Sequence, residues 1–552
     1  MSGRPVAMPA KFVYAGLLLL VLAAVLRSWQ LDSQEVWMDE AFSALIGQLE
    51  GPRFLAALRL ESNPPLYFLL LKAFSTLFGY SPVAMRSLSV LISVATVAVV
   101  LFYGARLVGW RFAFGAGLFL TLSPYSIYYA QEARGYALLM LLVMVAMLSA
   151  YDAVTTRSKR AIWLSGFCVL AAGYTHYFAA LALAPLPLFL IWRYFRNEEE
   201  RSTVRWLLLT QIASALLCAL WMLPRLTNRN VDPQLWVTEQ WAHLDKLWIV
   251  PKSLLVLLLG SSQGMTPLFM KQETLLAQPV MQAVLVSVAA AGLLILALMR
   301  RQPVDAAPQA QRSTGILLIV ATLMPLGILY AVSFLKPLYV IGRYDAVAFP
   351  WLVVLAGWVA VRCARLPWPT RAAFIALVLT LFGGMLHKDA LHVTAARAYH
   401  DFDAERSADL LGESVADGDL LVFTGMRGTS VIYYLSRKGF RWDGEHCRSE
   451  ARRITLTCRI LPYSDAGVPF LMGITATTPV SVRSAAADFE RILGARRADS
   501  TVWILYSRQR EPANLAIDRE IERSLRHSRL VPFAESIELA RYRIRRLHER
   551  VS

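Results

Sequence analysis

Two adjacent carboxylates, Asp39 and Glu40, follow directly after the first long apolar run of the chain. Carboxylates are costly to place at a membrane boundary, so a pair of them there indicates a working site. A carboxylate can take a proton from an acceptor hydroxyl and so act as a general base. The structural alternative is that both acids favour the first turn of a helix that begins near Ala41.

Other charged side chains cluster at the predicted outer ends of several apolar runs. They are Glu61, Arg86, Glu132, Arg134, His176, Arg225, Lys336, Arg343 and Asp345. Guanidinium groups bind phosphate oxygens in a bidentate manner. A carboxylate base combined with such cations would suit the transfer of a sugar away from a lipid-linked phosphate, a reaction that needs no nucleotide-binding fold.

Each of these residues also has a simpler reading. Glu132 and Arg134 could form a loop ion pair of small energetic value. His176 has tyrosines close on either side and could belong to an aromatic belt at the interface. Arg86, Lys336 and Arg343 could bind lipid headgroups as anchors.

The composition predicts a polytopic α-helical membrane protein. Of 552 residues, 56% are apolar and only 17% are charged. Apolar runs of membrane length predict eleven transmembrane helices, at 12–29, 84–107, 112–129, 136–154, 161–175, 177–194, 205–223, 279–299, 314–334, 345–362 and 370–387. Every loop that this assigns to the inner side is basic, which places the N-terminus in the cytoplasm and the acid pair outside.

The formal net charge of +17 comes from 56 basic and 39 acidic residues. In a soluble protein this would point to nucleic acid. Here many of the basic residues lie in inner loops, where the positive-inside rule and anionic lipids account for them. We therefore expect membrane lipid, and no nucleic acid, as a partner.

Beyond residue 390 charges become frequent and the pattern changes to alternating strands and helices. Strands are predicted at 419–423 and 501–506, with helices near 403–415, 427–437, 481–494 and 514–527. This divides the chain into a membrane domain, 1–390, and a soluble α/β domain, 391–552, on the outer side. Cys447 and Cys458 in this domain could pair as a disulfide, although the sequence leaves their geometry open.

Four segments carry a family resemblance. They are residues 37–41 (WMDEA), 61–68 (ESNPPLYF), 123–136 (SPYSIYYAQEARGY) and 342–350 (GRYDAVAFP). In order and spacing they resemble the motifs of GT-C glycosyltransferases of the protein-mannosyltransferase and aminoarabinose-transferase superfamily, which is often labelled glycosyltransferase family 39-like. The resemblance covers residues 1 to about 390.

The resemblance implies an inverting transfer from a polyprenyl-phosphate sugar to an envelope lipid, glycan or protein at the outer face of the inner membrane. It assigns the base to Asp39, with Glu40 as its support or as an acceptor ligand. The other implied substrate-binding residues are Glu61 and Glu132 around the sugar and acceptor, Arg134 and Arg343 at the donor phosphate, and Tyr344 beside Arg343.

One position departs from the family pattern. Relatives often have a basic residue before the Pro-Pro pair, where this chain has Asn63, and His176 could take over that contact. No cofactor is expected, although Asp39, Glu40 and Glu132 could share a divalent metal ion through oxygen ligands.

Two other functions remain in competition at this stage. A transporter or lipid-glycan flippase would show repeated halves and charges deep within the spans, which this sequence does not display. A protein whose outer domain does the work would need only one span as an anchor.

Overall fold

The computed structural model describes residues 8–61, 63–226, 237–259 apart from 239, 240 and 243, 308–365, scattered positions between 367 and 383, 403–424, 428–443, 446–461, and shorter segments between 489 and 549. The chain forms two compact units. The first comprises residues 1–31, 86–226 and 237–397, and the second comprises residues 32–85, 227–236 and 398–552. Residues 32–85 therefore belong with the C-terminal part, and the domain boundary near residue 390 stays a prediction.

The helices, in chain order, are α1 (Ala10–Ser28), α2 (Met38–Gln48), α3 (Gly51–Leu60), α4 (Leu66–Phe78), α5 (Pro82–Ala98), α6 (Gly104–Val108), α7 (Trp110–Leu122), α8 (Pro124–Ala130), α9 (Tyr136–Thr156), α10 (Lys159–Gly173), α11 (Ala179–Leu183), α12 (Pro185–Arg196), α13 (Arg201–Leu226), α14 (Ile249–Leu259), α15 (Pro308–Ser333), α16 (Phe349–Cys363), α17 (Asp403–Ser414) and α18 (Gly428–Arg437). A π-helical turn, Val99–Tyr103, joins α5 to α6.

Within the described residues, seven helical segments are long and apolar enough to cross a membrane. They are Ala10–Ser28, Pro82–Val108, Tyr136–Thr156, Ala179–Arg196, Glu198–Met222, Gly315–Ser333 and Tyr344–Cys363. Each overlaps a predicted span, so the chain is a multi-pass membrane protein. The predicted span 279–299 lies outside the described residues, and 370–387 is described only in part.

Two predicted spans are shorter helices in the structure. The span 161–175 corresponds to α10. The span 112–129 divides into α7 and α8, because Ser123 caps a new helix: its hydroxyl accepts a hydrogen bond from the Ser126 N–H, and Pro124 occupies the first helical position.

Small residues let the helices of the first unit approach closely. A side chain on Gly115 would collide with Ala360, and one on Gly357 would lie 2.7 Å from the ring of Phe112, so α7 and α16 pack almost backbone to backbone. Buried apolar side chains of α1, α7, α8, α9 and α16 form the core around this contact.

The second unit contains a mixed sheet of eight described strands: β1 (Leu420–Thr424), β2 (Arg441–Trp442), β3 (His446–Ser449), β4 (Ile454–Leu461), β5 (Val502–Ser507), β6 (Leu530–Pro532), β7 (Ile537–Glu538) and β8 (Tyr542–Glu549). Their order in the sheet is β2-β3-β4-β1-β5-β8-β6, and β7 pairs with β8. The central strand β1 runs parallel to β4 and β5, and the other pairings are antiparallel.

The α/β prediction for this part is confirmed. The strands predicted at 419–423 and 501–506 are β1 and β5, and two predicted helices are α17 and α18. The described residues 521–526 are helical and contribute Ile521 and Leu525 to a buried cluster with β1, β5 and β8. The helix predicted at 481–494 lies largely outside the described residues. Cys447 and Cys458 are buried in β3 and β4, with no disulfide bond between them.

Candidate active site

The acid pair lies in the first turn of α2, in the second unit. Trp37 precedes the helix and makes no side-chain capping hydrogen bond. Glu40 is buried, with 1% of its surface exposed, whereas Asp39 is partly accessible. Both carboxylates are stabilised by the positive end of the helix dipole. Of the two acids, Asp39 is therefore the more accessible.

Glu61 also lies in the second unit, at the end of α3. Its carboxylate is buried and accepts hydrogen bonds from the backbone N–H and the side-chain amide of Asn63, both at 3.3 Å. Asn63 is the residue that replaces the basic side chain expected there. In this chain the Asn63 amide donates to the Glu61 carboxylate and holds it in place. A basic side chain could make the same contact, but Asn63 adds no positive charge next to the Pro-Pro pair.

The first unit gathers another set of predicted residues around two tyrosines. The Arg343 Nε–H donates to the Tyr136 hydroxyl at 2.9 Å, and the Arg343 guanidinium lies 5.8 Å from the Tyr344 ring centre. The Tyr129 ring lies 4.5 Å from that of Tyr136 in a tilted arrangement, and the Tyr129 hydroxyl donates to the Gly342 carbonyl. The segments 123–136 and 342–350, which are far apart in sequence, therefore meet.

His176 completes this basic and aromatic cluster. Its ring lies 5.3 Å from Tyr136, 5.4 Å from Phe178 and 6.5 Å from Tyr344. The Phe178 N–H donates to Nδ1 at 3.2 Å, so the proton of a neutral imidazole is on Nε2. His176 is therefore a donor held in a fixed orientation.

Burial, together with two guanidinium groups, keeps that imidazole neutral. Burial, followed by the charges of Arg134 and Arg343, lowers the pKa of His176 from its ordinary value of 6.5 to about 3. The shift shows that both arginines lie close enough to His176 to repel a second positive charge. Two permanent cations and one neutral N–H donor form a set well suited to a phosphate group.

Glu132 and Arg134 lie between α8 and α9, where both side chains are buried. The Arg134 backbone N–H donates to the Glu132 carbonyl at 2.8 Å, which closes a tight turn. Both charges act on Tyr136 together with that of Arg343. The structure thus brings Glu132, Arg134, His176, Arg343 and Tyr344 around Tyr136 in the first unit. Asp39, Glu40 and Glu61 belong to the second.

Sequence reasoning missed the residue that holds the junction between α7 and α8. Arg27 near the end of α1 is completely buried, and its guanidinium donates to the Leu120 and Thr121 carbonyls and to the hydroxyls of Ser93 and Ser126. It thereby satisfies carbonyls at the end of α7 and fixes the start of α8. The pattern offered one signal, a charge inside an apolar span.

Arg86 is not the headgroup anchor that the sequence suggests. Instead of reaching a headgroup, its side chain is 2% exposed and donates to the Leu31 carbonyl at 2.5 Å. It therefore secures the end of the first span from within the protein.

Few side chains that could bind a metal ion lie together in the part of the chain that the structure describes. There, no group of three or more His, Cys, Asp and Glu side chains is arranged to share an ion.

Comparisons with known proteins agree with this architecture. Residues 62–223 match the family model of dolichyl-phosphate-mannose-protein mannosyltransferases. The crystal structure of apo ArnT from Cupriavidus metallidurans aligns with a TM-score of 0.55 at 14% identity and covers 98% of both chains. Among curated proteins, none matches the sequence significantly.

Two further structures align less well. ArnT of the same organism bound to undecaprenyl phosphate gives a TM-score of 0.47 at 15% identity over 97% of both chains. The Saccharomyces cerevisiae Pmt1-Pmt2 complex bound to its sugar donor gives 0.33 at 17% identity, over 40% of this chain and 34% of that one. The family match over residues 62–223 and the fold shared with apo ArnT bear out the resemblance to the GT-C glycosyltransferases of the protein-mannosyltransferase and aminoarabinose-transferase superfamily.

Proposed function

We propose that this enzyme transfers a sugar from a polyprenyl-phosphate donor to a hydroxyl of an envelope lipid, glycan or protein. The single observation that carries the proposal is the cluster of Arg134, Arg343 and neutral His176 around Tyr136, which provides two cations and an N–H donor for a phosphate. The family description, which names a dolichyl-phosphate sugar, supports a donor of this class.

In the proposed reaction Asp39 acts as the base. Its carboxylate removes the proton of the acceptor hydroxyl, and the oxygen attacks the anomeric carbon of the sugar. The bond from that carbon to the phosphate oxygen breaks, and the electron pair leaves with the polyprenyl phosphate. Arg134, Arg343 and the His176 Nε2–H would stabilise the phosphate charge. A single displacement from the face opposite the phosphate inverts the anomeric configuration.

The accessibility of the two acids supports this division of roles. Asp39 is partly exposed, whereas Glu40 is buried behind it in the same helical turn. A base must reach its substrate, while a supporting carboxylate need not. Glu40 would support Asp39 or bind the acceptor, and Glu61 and Glu132 would contribute to sugar and acceptor binding.

The proposed location is the inner membrane, with the N-terminus in the cytoplasm and the C-terminal domain outside. The basic residues of the predicted inner loops support this orientation. Three of these arginines, Arg157, Arg193 and Arg201, form ion pairs with residues Glu198–Glu200. Acidic residues contribute little to the positive-inside rule, so these pairs do not change the expected orientation. A reporter fused after residue 552 that is active only outside the cytoplasm would confirm the orientation.

The decisive experiment follows the transfer of labelled sugar from polyprenyl-phosphate donors by the purified protein. Asp39→Asn should lower kcat by about 10²-fold or more, the usual contribution of a general base. Asp32→Asn is the matched control, because it neutralises an exposed acid seven residues earlier in the same segment. Full turnover by Asp39→Asn would remove it as the base, and loss confined to Glu40→Gln would exchange the two roles.

Two further measurements complete the test. The anomeric configuration of the product, determined by NMR coupling constants, should be opposite to that of the donor, and a retained configuration would exclude single displacement. We also propose that no divalent metal takes part. Loss of turnover in EDTA that Mg²⁺ or Mn²⁺ restores would contradict this.

A further inference from the structure

The second unit contains both the acid pair and the C-terminal sheet, and helix α18 of that part packs against α2. The contacting faces are buried: residues 40–47 of α2 and residues 428–435 of α18 are all shielded from solvent. Gly428 permits α18 to begin directly against the sheet, since a side chain there would lie 2.5 Å from Phe423. The helix that carries Asp39 is therefore supported by an element fixed to the sheet.

Two buried hydrogen bonds fix the chain just before α2. The Val36 N–H donates to the Tyr434 hydroxyl at 3.0 Å, and a carboxylate oxygen of Glu35 accepts from the Ala404 N–H at 2.6 Å. Val36 is fully buried, and Glu35 and Tyr434 are 7% and 3% exposed. Tyr434 is on α18, and Ala404 is in the first turn of α17.

These two hydrogen bonds are important because the segment between α1 and α2 has no regular secondary structure. Between α1 and α2 the chain forms turns and bends without helix or strand. The start of α2 makes no side-chain capping hydrogen bond. Val36 stands three residues before Asp39, so a shift of its backbone moves the carboxylate with it.

We propose that the C-terminal sheet domain positions Asp39 for catalysis, and that Tyr434 and Glu35 are the positioning residues. This inference rests on the proposed role of Asp39 as the base. It gives the C-terminal domain a part in the reaction although neither residue need touch the substrate. A displacement of the base by a fraction of an ångström is enough to slow proton transfer.

The chain offers a closely matched control on the same helix. Tyr433 is also buried, and its hydroxyl donates to the Tyr80 carbonyl at 2.7 Å, beyond the far end of α4. Tyr433→Phe and Tyr434→Phe each remove one hydroxyl that bonds to a backbone group of residues 32–85. They differ in whether that group lies next to Asp39.

The experiment measures sugar transfer and thermal unfolding for both full-length variants. Tyr434→Phe should lower kcat about tenfold or more with the KM for donor nearly unchanged, because the transition-state geometry is altered and donor binding is not. Tyr433→Phe should lose a comparable amount of thermal stability yet keep its kcat. Equal kcat losses, or none in Tyr434→Phe, would overturn the proposal.

Glu35 supplies a conservative rescue. Glu35→Gln keeps an oxygen that accepts from the Ala404 N–H and should retain kcat, whereas Glu35→Leu removes the acceptor and should behave like Tyr434→Phe. If Asp39→Asn is inactive while Tyr434→Phe matches Tyr433→Phe, the function stands and the positioning role fails. If Asp39→Asn retains full turnover, Asp39 is not the base and the positioning role falls with it.

Discussion

Replacing His176 should change how the stability of the protein depends on pH. The pKa of His176 is about 3 in the folded protein, because the ring is buried and faces the charges of Arg134 and Arg343. In the unfolded chain it returns to the ordinary value of 6.5. The unfolded state therefore binds a proton that the folded state excludes. Above pH 6.5 the group has no effect on stability, and as pH falls from 6.5 towards 3 stability is lost.

The size of this loss follows from the separation of the two values. One pKa unit corresponds to about 1.4 kcal/mol, so at pH 5 the His176 term costs on the order of 2 kcal/mol. The loss would grow to about 5 kcal/mol near pH 3 if the protein stayed folded. His176→Asn removes the titration while its amide oxygen takes the place of Nδ1 as acceptor for the Phe178 N–H.

The assay is thermal unfolding of the purified protein in detergent at pH 8 and pH 5, at one heating rate. The comparison at pH 8 reports the packing cost of the substitution, since the imidazole is then neutral in both states. The change in Tm between pH 8 and pH 5 should be clearly smaller in His176→Asn than in the wild type. Parallel pH dependence in the two proteins would refute the argument that the two arginines and burial hold this ring neutral.

Three further outcomes are expected. Arg27→Met should lower the free energy of unfolding by about 3–5 kcal/mol, with Arg27→Lys between it and the wild type, because several buried hydrogen bonds to a charged group are lost; a Tm equal to wild type would contradict this. Lys72→Met should cost about 1–2 kcal/mol, since the Lys72 ammonium donates to two carbonyls at the end of α2 at 2.7 Å; chemical denaturation measures this. Tyr136→Phe removes the hydroxyl that accepts from the Arg343 Nε–H and should raise the KM for donor more than it lowers kcat; an unchanged KM would separate this contact from donor binding.

Local pattern was sufficient to predict most of the elements. Apolar runs located the seven membrane-length helices because the length of an apolar helix is set by the hydrocarbon thickness. Short runs of consecutive apolar residues located β1 and β5, which are buried on both faces. Turn chemistry was harder: the Ser123 cap and Pro124 divide an apolar run that hydropathy alone reads as one span.

The sequence predicted which residue types form the candidate site, but not which of these residues lie together. Arg343 and Tyr136 are 207 residues apart in sequence, and the acceptors of Arg27 on α7 and α8 are more than 90 residues away from it. Such contacts depend on how helices pack, which periodicity does not encode. The same holds for Tyr434, which lies 398 residues from Val36.

The buried charges of the first unit also bear on the rival reading as a transporter. A transport pathway uses intramembrane charges that change partners as the substrate passes. Arg27, which lies within a membrane span, is instead tied to two carbonyls and two hydroxyls that belong to three other helices or their ends. Any movement of the Arg27 guanidinium would break all of these hydrogen bonds at once, so Arg27 has a structural role in fixing the helices. Arg134 and Arg343 lie outside the helical stretches and close to His176, and Arg343 donates to the Tyr136 hydroxyl. This arrangement suits the proposed static phosphate site better than an alternating pathway.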